Sequence, residues 1–249
     1  METSSRRGAT FCRTLVSLAR TRLCTYFCRM RLSILTCALL ACVLPAALSA
    51  LNGQVAYTEG DVSIRSGAQT HDAVLGEPLN PGDVISTGAE SLAVIDLANS
   101  TTLKLRARTT LAIDSIGEST SVTLNAGGVF THVLKKLTGQ FSVQTQTAVA
   151  GVRGTEFFIA YGRTIDALPD VWLCVNSGAV EVSLPQTGQT VTVKEGLGIN
   201  IVAGTKLTTP RNYPWTRRLN WNMDAASGKV VDTTNLDEAY SDLLNQDYH

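Results

Sequence analysis

The stretch Thr147-Ala-Val-Ala-Gly-Val-Arg-Gly-Thr-Glu-Phe-Phe-Ile-Ala160 decides the fold. Ala148, Ala150 and Val152 alternate with Val149 and Gly151, and Phe157, Phe158 and Ile159 resume the apolar run, so the segment reads as buried β-structure. Arg153 and Glu156 interrupt it. Gly151 and Gly154 lack Cβ atoms and permit a bulge or a close backbone approach, which re-aims the two charges towards one another or towards a buried carbonyl. A charged pair inside an apolar strand persists through mutual pairing and hydrogen bonds. The motif Gly151, Arg153, Gly154, Thr155, Glu156 and Phe157 therefore reads as architectural, and breaking a buried pair at Glu156 is expected to cost roughly 3–5 kcal/mol.

Outward from this stretch the same texture continues. Gly60–Arg65, Ser91–Leu97, Thr102–Arg106, Thr110–Ile113, Ser121–Leu124, Gln140–Gln144 and Thr190–Val193 all alternate with period two. The breaks between them are Ser66-Gly67, Pro81-Gly82, Thr87-Gly88, Asn99-Ser100, Gly127-Gly128, Ser177-Gly178, Thr187-Gly188 and Ala203-Gly204. A Gly-x-apolar-x-apolar unit recurs at Gly60–Ile64, Gly139–Val143 and Gly178–Val182. The chain is thus predicted to be all-β, with a single domain of short strands over 51–209, either a sandwich or β-solenoid-like.

The two ends differ from this body. Residues 1–29 are rich in arginine and read as a cytoplasmic extension or as sequence upstream of a true start at Met30. Residues 30–50 read as a signal peptide: Arg31 precedes an apolar run from Leu32 to Leu44, followed by Pro45 and the small residues Ala46-Ala-Leu-Ser-Ala50. The product is expected to be periplasmic or secreted. Leu39-Leu-Ala-Cys42 resembles a lipobox, and an uncleaved run would act as a signal anchor, so a membrane-anchored form follows if Cys42 is lipidated or the signal is retained.

Of the 21 basic and 21 acidic residues, seven arginines and Glu2 lie in residues 1–50, which leaves 14 against 20 for the exported chain. An acidic surface disfavours phosphate-backbone binding, so no nucleic-acid partner is expected. Five of the six cysteines also lie in the leader. Only Cys174 remains, within Val171-Trp-Leu-Cys-Val175, and it reads as a small buried hydrophobe with no partner for a disulfide.

Residues 210–249 form a tail with a short helix, capped by Asn235 and carrying Leu236, Tyr240 and Leu243 on one face. Ahead of it, Tyr213, Trp215, Arg217, Arg218 and Trp221 gather the residue types favoured at recognition hot spots. These side chains either present a binding surface, for a glycan or an envelope protein, or fold back and hide their rings.

Catalytic signals are lacking in the sequence. Only His71, His132 and His249 occur, without metal-ligand spacing, and His132 reads as an ordinary strand residue. There is no Gly-x-Ser-x-Gly elbow and no phosphate-cradling glycine loop. No catalytic residue, metal or cofactor is assigned, and the chain is read as a non-enzyme.

Three motifs, in order, resemble the FecR domain, an extracytoplasmic β-rich module. Ala150-Gly-Val-Arg-Gly-Thr-Glu-Phe157 is similar to its signature, Pro81-Gly-Asp-Val-Ile-Ser-Thr-Gly-Ala-Glu-Ser91 to its "G-D-x-I-x-T-G-x-x-S" strand-turn, and Asn176-Ser-Gly-Ala-Val-Glu-Val182 to a later strand. The resemblance runs from about Gly53 to about Val202. It implies an envelope module, and the family's best-known member relays an outer-membrane signal through an inner-membrane anchor to a sigma factor. This chain has no sizeable domain before the apolar run, so sigma-factor control is not carried over. The expected role is a free-standing binding or scaffolding module, with a FecR-type anchored sensor or a carbohydrate- or peptidoglycan-binding module as alternatives.

Overall fold

The computed structural model describes residues 53–97, 101–134, 139–152, 154–165, 168–236 and 238. The predicted leader over 1–50, Arg153 and most of the predicted C-terminal helix lie outside these residues. Eighteen strands follow in chain order: β1 (Gly53–Glu59), β2 (Val62–Ser66), β3 (Gln69–Asp72), β4 (Pro78–Leu79), β5 (Val84–Thr87), β6 (Leu92–Leu97), β7 (Thr101–Leu105), β8 (Thr110–Ser115) and β9 (Ser119–Val133). They continue as β10 (Gln140–Gln144), β11 (Val149–Val152), β12 (Glu156–Ile165), β13 (Leu168–Ser177), β14 (Ala179–Leu184), β15 (Gln189–Lys194), β16 (Leu197–Val202), β17 (Lys206–Leu207) and β18 (Arg211–Asn212). No described helix is long and apolar enough to cross a membrane.

The strands form two layers. One sheet runs β4, β1, β6, β7, β9, β12, β13, β16, with β17 and β18 both on the far edge of β16. The other runs β3, β2, β5, β8, β9, β10, β11, β14, β15. Their facing residues share one core, with Val55, Ile95, Leu103, Val129, Phe157 and Leu173 from the first sheet against Ile64, Ile85, Leu111, Val122, Val143 and Val182 from the second. Spatial order in each sheet closely follows chain order, so the molecule is a sandwich that advances like a solenoid, each pair of strands covering its predecessor. All three Gly-x-apolar-x-apolar units begin strands of the second sheet, at β2, β10 and β14.

Two sequence readings are corrected here. Gly127-Gly128, predicted as a break, lies inside β9. The first half of that strand pairs with β8 and β10 in the second sheet, and the second half with β7 and β12 in the first. Gly127, at φ 88°, turns the strand between layers, and a Cβ there would come within 2.5 Å of the Thr109 backbone.

The deciding stretch is likewise two strands, not one interrupted strand. β11 belongs to the second sheet and β12 to the first, so the chain changes layer between Val152 and Glu156. Gly154 takes φ 64°. Three contacts hold the crossing: Val133 N–H donates to Thr155 O at 2.9 Å, Thr155 Oγ1 donates to Ala179 O at 2.9 Å, and Gly178 packs on Gly154.

A Cβ at Gly178 would sit 2.8 Å from Gly154 O, with φ at 86°. Gly188 has φ 71° and open space around it. Gly178→Ala is therefore expected to destabilise the protein by about 2–4 kcal/mol, by backbone strain and overpacking together. Gly188→Ala should cost only about 1 kcal/mol, for its backbone conformation alone. Chemical denaturation of the two variants checks the difference, and equal losses would contradict the close-packed crossing.

Candidate functional site

The outer face of the first sheet carries its side chains in rows two residues apart, as strand alternation requires. One row is polar and crosses six strands in register: Gln54, Asp96, Thr102, His132, Glu156 and Ser177. The next is apolar, apart from a lysine: Tyr57, Val94, Lys104, Phe130, Phe158 and Cys174. A third contains Ala160 and Trp172. Phe130 and Phe158 stack tilted at 4.6 Å, and Phe158 meets Trp172 edge-on at 5.7 Å.

The C-terminal segment covers the apolar rows. Tyr213, Leu219, Trp221, Met223 and Leu236 close over Phe130, Phe158, Ala160, Trp172 and Cys174, and Val230 closes over Leu92 and Val94. A 3-10 helix over Pro214–Arg218, which the sequence reading did not foresee, turns the chain across the sheet. Beyond it, Glu238 N–H donates to Asn235 Oδ1 at 3.4 Å, as the predicted cap requires.

A buried lysine latches this cover. Lys104 is fully enclosed, and its ammonium donates to Asn220 O, to Asn222 O at 2.8 Å and to Val230 O at 3.1 Å while resting 4.2 Å over the Phe130 ring. Burial draws its pKa down to about 8, against the pull of Asp232 and Glu156, so near neutral pH all three protons remain to match three carbonyls. Beside it Arg106 Nη2 donates to Thr234 O at 2.7 Å. Arg106 Nε lies 3.1 Å from Asp232 Oδ2, close enough for an ion pair but without hydrogen-bond alignment.

The predicted binding cluster is thereby divided. Tyr213 is fully enclosed and is removed from any surface; Arg217 and Arg218 are exposed; Trp221 is half-buried, its Nε1 donating to Thr216 O at 3.2 Å and its ring perpendicular to Phe130 at 5.2 Å. The side chain of Trp215 lies outside the described residues. Cys174 is buried as expected, and desolvation pushes its thiol far above the usual range, which leaves it unreactive.

Within the deciding motif, Gly154, Thr155 and Phe157 are buried, Gly151 is half-buried in β11, and Glu156 is half-buried at the open polar row. A register shift between β12 and β13 leaves Asn176 unpaired in the ladder opposite Glu156, and its side-chain amide donates to Glu156 Oε2. The strand-turn motif is equally structural. Asp83 accepts from Asn80 N–H at 2.8 Å and from Ser66 Oγ at 2.5 Å, Thr87 Oγ1 accepts from Thr109 N–H at 2.9 Å, and Ser91 Oγ accepts from Asp61 N–H at 2.8 Å.

Where the cover ends, the polar row stays open. Residues Trp221–Ala226 stand beside it and complete a groove of about 570 Å³, lined also by Tyr57, Asp96, Thr102, His132 and Glu156. Sequence reasoning missed Asp96, Thr102 and Asp224, since nothing in their local patterns distinguishes them from solvated strand and loop positions. The register across five ladders is what joins the row. Among the described residues no group of three or more His, Cys, Asp or Glu side chains is close enough to hold a metal ion.

Residues 83–181 match the family model described as FecR protein. The chain carries a FecR domain. All three FecR motifs act in this structure as staples: the first pins turns around β5, and the second and third meet at the crossing through Gly154, Thr155, Glu156, Asn176 and Gly178. Two crystal structures of a candidate anti-sigma factor from Parabacteroides distasonis ATCC 8503, at 1.65 and 2.50 Å resolution, are similar to it, each at 19% identity with a TM-score of 0.44. The similarity covers 52% of this chain and 59% of each of those chains. No match to a curated protein was found.

Two outcomes follow for this FecR-domain protein. Lys104→Met leaves three carbonyls without their donor and is expected to lower stability by roughly 2–4 kcal/mol, with new proteolytic cleavage within residues 210–236. Unaltered cleavage and melting would show that the latch is dispensable. For Glu156→Ala, the half-exposed hydrogen bond from Asn176 sets a loss of about 1 kcal/mol in chemical denaturation, in place of the 3–5 kcal/mol of a buried pair.

Proposed function

We propose that this FecR-domain protein is a non-enzymatic, extracytoplasmic binding or scaffolding module of the bacterial envelope, related to FecR-type signalling, that takes a partner protein on an open strand edge. The observation that carries this reading is β15. It closes one end of the second sheet and pairs only with β14 among the described strands, leaving a six-residue edge of alternating Thr and Val. Thr190, Thr192 and Lys194 are exposed along it. Such an edge offers unpaired N–H and C=O groups to an extended segment of another chain, and sheet extension is a common mode of peptide recognition. β3, at the opposite end, is short and wholly exposed. Export rests on the reading of residues 30–50. The glycan alternative loses Tyr213 and retains the half-buried Trp221.

The test is capture of partners from envelope extract by the tagged chain, with wild type beside a Thr190→Lys/Thr192→Lys double variant. Two exposed positions accept lysine without disturbing the core, so melting should be unchanged while the specific partner is lost, because edge charges oppose strand addition. Equal capture by both proteins would remove β15 as the binding edge.

A further inference from the structure

We propose that the groove on the outer face of the first sheet binds the positively charged nitrogen of a small organic ammonium compound, a ligand separate from any partner on β15. Its volume of about 570 Å³ lies within the range of roughly 300–1,000 Å³ typical of small-molecule sites. Three carboxylates line it, Asp96, Glu156 and Asp224, with His132 beside them, and among the described residues no lysine or arginine does. The ammonium of Lys104, in the covered row next to the groove, is consumed by three carbonyls of the covering segment.

The carboxylates are held in place before any ligand arrives. Thr102 Oγ1 donates to Asp96 Oδ1 at 2.8 Å, Asn176 Nδ2 donates to Glu156 Oε2, and Ala226 N–H donates to Asp224 Oδ1 at 2.9 Å. Each bond occupies one oxygen and leaves the carboxylate with its charge and further lone pairs for a ligand cation. Trp221 and Tyr57 supply aromatic surface to the same space. Trp221 is fixed by Thr216 O and by Phe130, and a hydrogen bond to Glu59 pushes the Tyr57 phenol above its usual pKa, so it stays neutral.

Carboxylates combined with indole and phenol faces select an organic cation, which gains from both charge and ring quadrupole. Among the described residues these acidic groups do not gather closely enough to hold a metal ion, whereas a monovalent organic cation needs only one or two of them at a time. The shared chemistry is a positively charged nitrogen on a small polar molecule, either a free alkylammonium or an amino sugar.

The full chain should be titrated by calorimetry with choline, glucosamine and, as the uncharged control, glucose. Choline or glucosamine is expected to bind and glucose not. Choline alone identifies a quaternary ammonium site, and glucosamine alone an amino sugar site. Glu156→Gln and Asp224→Asn should each weaken binding by about tenfold while leaving partner capture intact, since both line the groove on the first sheet's outer face and β15 belongs to the second sheet. Asp224 stands in an exposed loop, so Asp224→Asn decides the matter if the Glu156 variant melts early. Absence of binding by both cations, equal binding of glucose, or full affinity in Asp224→Asn would overturn the proposal.

Discussion

The structure depends on one backbone crossing. Between Val152 and Glu156 the chain leaves one sheet for the other, and at that point Gly178, from the β13–β14 turn, lies against Gly154 with no room for a side chain. Thr155 fastens both sides, accepting from β9 and donating to the start of β14. A layer change in a sandwich exposes backbone groups that neither ladder can pair, so the contacts that satisfy them determine where the chain can cross. Here three segments distant in sequence must meet, which explains why two separate FecR motifs are found together.

A second constraint acts on the outer face of the first sheet. Its central rows present Phe130, Phe158 and Trp172, surface that water does not tolerate in such quantity. The C-terminal segment covers it, and Lys104 converts what would be a lone buried charge into a latch by giving each proton a carbonyl. The cover is narrower than the face. Its inner margin therefore becomes one wall of a groove, and the open polar row becomes the floor, so the same packing that stabilises the sheet also creates the concavity.

The sequence legibly encoded the strands and the staples. Period-two alternation marked β2, β6, β7, β8, β10 and β15 because each has one face in a dry core. The motif residues Asp83, Thr87, Ser91, Gly154 and Gly178 were visible as departures from that alternation. Gly127-Gly128 misled, since a glycine pair that bends a continuous strand has the same local composition as one that ends it. Trp221 and Tyr213 were recognised as a pair of interest, yet residue type does not reveal which ring faces the protein and which the solvent.

By itself, then, the amino-acid order determined an all-strand body, an acidic composition beyond residue 50 and the identity of the FecR motifs, because these follow from local periodicity, from counting and from the order of the motifs. Only the tertiary structure decided that the deciding stretch spans two sheets, that Tyr213 is enclosed while Glu156 stays half-open, and that Asp96, Thr102, His132 and Glu156 share a row. Register is the physical reason. A strand's neighbours are set by pairings across dozens of residues, and shifting any one ladder by a single position would send the whole row to the other face.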